Sequence, residues 1–95
     1  MVGIAYLARR SPSLLGDDLR LAGYAVWEAV TASEVLHLCE YRSIDVVVID
    51  AGVEDPDLPE VQGRHISMRL NVNATAAEVI WELEQLFPSA VGPIQ

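Results

Sequence analysis

Asp50 is the residue whose neighbours best suit it to do chemistry. It closes the run IDVVVI at residues 44–49, whose β-branched residues mark a central strand buried on both faces. Open α/β sheets carry their sites at the carboxyl ends of such strands. A carboxylate there can pair with a nearby cation or simply end the strand as a turn residue. Arg9, Arg10, Ser11 and Ser13 form a second group. They put two guanidiniums and two hydroxyls ahead of an expected helix, whose N-terminal amides favour anions. A small phosphate or acidic ligand suits that chemistry, as do solvated arginines or arginines paired with Asp50. No glycine-rich phosphate loop accompanies them.

His37, Cys39 and His65 raise the question of a metal. Positions two apart on a helix point to different sides, so His37 and Cys39 do not share a ligand face. No metal is expected, and Cys39 reads as a small core residue. Glu54, Asp55, Asp57 and Glu60 lack the alternating ligands and turn glycine of a calcium loop, and read as a solvated loop. No serine has a base and an orienting acid at triad spacing, so no catalytic residue is assigned. Trp81 lies off the helix face built by Val79, Leu83, Leu86 and Phe87, and is a candidate interface residue.

These groups need elements to hold them. Residues 2–8 (VGIAYLA) make a nearly continuous apolar run of the kind found in buried parallel strands. Ser11-Pro12 reads as a helix start, with Leu15, Leu19 and Ala22 on one face and Gly23 as the stop. Residues 24–30 (YAVWEAV) read as a second strand. Thr31 and Glu34 form a capping box for a helix to about residue 41, with Val35, Leu38 and Cys39 inward. Residues 51–63 show no helical period, two prolines and four acids, the composition of a loop. Ile66, Met68 and Leu70 alternate with Ser67 and Arg69, as in a half-exposed edge strand. Thr75 and Glu78 form a second capping box for the last helix, which Pro88 stops.

The expected fold is therefore a three-layer α/β/α domain spanning residues 1–87, with a loose tail at 88–95. About four mostly parallel strands take the order 2-1-3-4, with about three helices. The link from third to fourth strand shows no helical pattern, so an antiparallel last strand is also open.

Composition narrows the function classes. The chain has 95 residues, 52% of them apolar, enough for one cored domain and too many for a disordered one. No apolar run approaches the roughly 18 residues of a membrane span. No secretory signal is read at the N-terminus, and a single cysteine suits a cytoplasmic location. Fourteen acids face six arginines and no lysine, for a net charge of −8. Such a surface repels phosphate backbones, so nucleic acid is not an expected partner.

The strings themselves resemble a family. LAGYAVWEA at residues 21–29 resembles the end of the first helix and the second strand of a response-regulator receiver domain, commonly AGYxVxxA. SIDVVVID at residues 43–50 resembles the receiver's third strand, which delivers the phosphoacceptor aspartate, and Asp50 stands at that position. Residues 66–86 resemble its last strand and helix, with Arg69 near the family's lysine. The first fifty residues match in order and spacing. The second half matches if one helix–strand–helix segment is missing.

The resemblance implies a flavodoxin-like fold and a place in two-component signal transduction. The departures matter as much. Receivers carry two acids just after the first strand, which hold Mg²⁺ with the phosphoacceptor; here that place reads Arg9-Arg10-Ser11. One carboxylate beside guanidiniums does not replace a hard cation's oxygen shell, and phosphoryl transfer depends on that metal. The expectation is a pseudo-receiver: a non-catalytic domain that binds protein, with Asp50 vestigial and paired with Arg9 or Arg10, and no cofactor. The missing segment would leave an edge open at Ile66, Met68, Leu70 and Trp81, suited to a homodimer. The rival expectations are a small-anion binder or enzyme using Arg9, Arg10 and the first helix's N-terminus, and a genuine phosphoacceptor at Asp50.

Overall fold

The apolar run near the N-terminus is buried at every position and forms β1 (Gly3–Leu7). In the computed structural model, which describes residues 1–9 and 13–88, it is followed by α1 (Leu14–Leu21), β2 (Ala25–Ala29) and α2 (Ala32–Tyr41). The chain continues through β3 (Val46–Ile49), α3 (Leu58–Arg64), β4 (Ser67–Arg69) and α4 (Ala76–Leu86). The sheet order is β2-β1-β3-β4 and every pairing is parallel. This is a flavodoxin-like α/β/α arrangement, with β1 and β3 central and buried throughout.

Side chains alternate across the sheet and build two cores. Ile4, Tyr6, Val46 and Val48 pack with Leu19 of α1 and Val79 and Leu83 of α4. Ala5, Leu7, Val47 and Ile49 pack with Val35 of α2 and Leu58 and Val61 of α3. Each fully buried Leu, Ile or Val stabilises by roughly 1.5–3 kcal/mol over leaving it exposed. Both expected capping boxes are present, at Thr31/Glu34 and Thr75/Glu78. Gly23 follows α1 with φ +104°, a conformation glycine adopts without strain.

Several sequence expectations change. There are four helices, not three, because α3 lies inside the segment read as a loop. It has seven residues and only Leu58 and Val61 buried, too few for a period to show, and its proline sits in the first turn, where no N–H is needed. As a crossover it returns the chain to the starting end of the sheet, which makes β4 parallel. α1 is capped by Ser13, whose Oγ accepts from the Gly16 N–H, rather than from Ser11. Ala22 and Leu86 are exposed, and Ile80 packs on the core instead. Of the expected tail, residues 89–95 lie outside the described residues, as do Arg10, Ser11 and Pro12.

Candidate functional site

The carboxyl ends of β1 and β3 lie side by side, joined by the Asp50 N–H donating to the Leu7 carbonyl at 2.9 Å. Strand alternation turns the Asp50 side chain to the same face as Tyr6 and Val48. Its Oδ1 accepts from the Ala51 N–H at 2.9 Å. Tyr6 stands beside it on that face, 1% exposed, close enough for the Asp50 charge to act on its hydroxyl. Burial pushes the Tyr6 phenol above 10.0; the Ser13 hydrogen bond pulls it down, and the charges of Asp50 and Glu28 push it further up. The phenol therefore keeps its proton at neutral pH.

Beside this pair, Glu28 occupies the N-terminal end of α1. Its Oε1 accepts from the Ser13 N–H at 2.9 Å and its Oε2 from Arg20 at 3.1 Å. The Glu28 side chain is only 6% exposed. Gly16 makes the approach feasible, since a Cβ there would stand 2.7 Å from Oε2. Thus an internal carboxylate already takes an amide at the place where an external anion would bind.

The expected cations fall elsewhere. Arg9 is exposed and lies over the turn at Gly52, its Nη1 3.5 Å from where a Cβ would be. Among the described residues no guanidinium forms an ion pair with Asp50. The expected Arg9–Asp50 pair is therefore not formed, and the carboxylate takes the Ala51 amide instead. Arg10 and Ser11 lie outside the described residues. Arg69 turns away to donate to the Val53 carbonyl at 2.7 Å, holding the β3–α3 connection. Asp55 ties the same connection to α2, its Oδ2 accepting from the Ala32 N–H at 3.0 Å and its Oδ1 from the Asp57 N–H. These two bonds hold the Asp55 carboxyl below 3.8.

Among the described residues no three His, Cys, Asp or Glu side chains gather to hold a metal ion. His37 stacks on Tyr41 with ring centroids 4.5 Å apart. Cys39 is half-buried, and burial pushes its thiol up from 9.0. Glu60 pairs with Arg64 at 3.1 Å along α3. At the far edge, Ile66 and Trp81 are exposed, Met68 is half-buried, and Leu70 belongs to the core.

Tyr6, Glu28 and Arg20 are the site's unforeseen members, whereas Asp55, expected in a solvated loop, ties that segment to α2 instead. Glu28 carried a signal, an acid inside the otherwise apolar run of the second strand. Tyr6 carried none, because a tyrosine in an apolar run reads simply as core.

Among the described residues no helix is long and apolar enough to cross a membrane. No protein-family model, curated protein or solved structure matches this chain.

Proposed function

We propose that this chain is a non-catalytic regulatory domain that binds protein, a pseudo-receiver in the cytoplasm whose phosphoacceptor position no longer takes a phosphoryl group. The observation that carries this reading is the set of groups around Asp50. Its carboxylate accepts from the Ala51 amide, and among the described residues no cluster of acidic side chains gathers there, where a receiver needs further carboxylates. Mg²⁺ requires an oxygen shell rich in negative charge, and the described donors at Asp50 do not fit it. Without that ion the charge of an incoming phosphoryl group is not neutralised. The LAGYAVWEA and SIDVVVID strings and the 2-1-3-4 sheet order support the kinship with receivers. The net charge of −8 and the lone Cys39 suit a protein partner in a reducing compartment.

Glu28 weighs against the rival anion site, because it brings negative charge to the start of α1. The deciding experiment is incubation with acetyl phosphate and Mg²⁺, followed by intact-mass measurement. The expected result is an unchanged mass. A gain of one phosphoryl group that vanishes in Asp50→Asn would sink the reading and restore a working receiver.

A further inference from the structure

The two edges of the sheet are finished differently. On β2, the Ala25 N–H and the Ala29 carbonyl bond toward β1, so the Val26 backbone faces outward. The Val26 carbonyl is covered by Arg20, which donates from Nε at 3.3 Å and from Nη2 at 3.0 Å. A long charged side chain laid on an edge is a common guard against strand addition. On β4, the Ile66 carbonyl and the Leu70 N–H bond to β3, which turns the Ser67 and Arg69 backbone groups outward. Among the described residues nothing hydrogen-bonds to those outward groups.

Alongside this bare edge runs a groove of about 350 Å³, lined by Met68, Leu70, Val79 and Trp81 with Glu78 and Glu82. Trp81 is 61% exposed. Glu78 gives Oε1 to its capping box, and Glu82 forms no ion pair among the described residues. Arg69 also lines the groove, its guanidinium turned to the Val53 carbonyl while keeping its charge. Helix α4 contains no lysine or arginine. The groove thus carries two acids against one arginine and is negative on balance.

Resting on the protein-binding reading above, we infer that β4 accepts an extended, positively charged segment of a partner protein as a fifth strand. An apolar side chain of that segment seats against Trp81 and Leu70, and its basic side chains meet Glu78 and Glu82. Main-chain bonds to Ser67 and Arg69 supply affinity, and the groove supplies specificity. Charge selects this occupant over a second copy of the chain. Two copies would each bring a net charge of −8, and a two-fold axis at β4 would oppose identical acidic rims.

The probe is a labelled peptide of about eight residues, a common strand length, with arginine and leucine alternating on one face and threonine on the other. Fluorescence anisotropy should show saturable binding that weakens with salt, and the Ser67 and Arg69 amides should exchange more slowly with peptide bound. Because Trp81 and Glu82 are exposed, Trp81→Ala and Glu82→Arg should fold normally and bind roughly fivefold more weakly or worse. Equal binding by a peptide with glutamate in place of arginine would overturn the inference. So would no binding at all, or binding that leaves Ser67 and Arg69 exchange unchanged. Slow exchange without peptide would overturn it too, by showing the edge already covered: by a second copy if the chain sediments as a dimer, or by the chain itself if monomeric. Phosphorylation of Asp50 is read from mass, so failure here leaves that result independent.

Discussion

Tyr6 joins the core to the candidate site, buried on the face that Asp50 shares. Removing the hydroxyl of a buried tyrosine typically costs about 1 kcal/mol, so Tyr6→Phe should lose roughly that much in urea denaturation at neutral pH. The pH dependence has a definite sign. Burial holds the folded phenol above 10.0, so alkali ionises the unfolded chain first. The contribution is whole below pH 10.0 and is lost as pH rises through the folded-state value. Tyr6→Phe should therefore lose stability less steeply than the parent above pH 10; equal slopes would mean that the phenol is not held neutral. Arg20 does two jobs at once, neutralising Glu28 and covering the Val26 carbonyl.

Between elements, the β3–α3 connection is the best-tied loop of the described chain. Arg69 holds it from β4 through Val53, and Asp55 holds it from α2 through Ala32. Asp55 also supplies negative charge at the positive end of α2. Its carboxyl lies below 3.8 because of those backbone bonds. A depressed carboxyl stabilises the fold above that value, and the stabilisation fades as pH falls through the folded-state value. Asp55→Asn should be less stable than the parent at neutral pH, with the difference shrinking below about pH 4. Thermal melts across pH 2–7 check this, and a difference that persisted at pH 2 would count against a charge-based tie. The short α3 completes one core through Leu58 and Val61, so the loop's two anchors also place a piece of the hydrophobic interior.

For the whole molecule, charge is the dominant surface property. The net charge of −8 over 95 residues sets the folded chain against itself at low ionic strength. Added salt screens that repulsion over a Debye length of about 10 Å at 0.1 M. Only three ion pairs are formed among the described residues, two of them through Arg20, so little attraction is lost in exchange. The melting temperature should rise by roughly 2–5 °C between low salt and molar NaCl; a fall would show that the Arg20 cluster outweighs the global repulsion. The same acidity makes basic partners the natural ones for the β4 edge.

Order and alternation along the chain were enough to determine the layers, the sheet order and both capping boxes. Hydrophobic periodicity and cap chemistry are local, and each is written within a few residues, as at Thr31–Glu34 and in the run ending at Asp50. Asp50 itself was legible for the same reason, as a polar stop on a β-branched strand. The helix α3 was not, because seven residues with two buried positions leave no periodic trace beside prolines and acids. Nor were the groups that meet Asp50 and Glu28. Tyr6 and Asp50 are distant in sequence, and only the parallel pairing of β1 with β3 makes them neighbours. That Tyr6 stands beside Asp50 was decided by strand register and burial, which depend on the whole sheet rather than on any stretch of it.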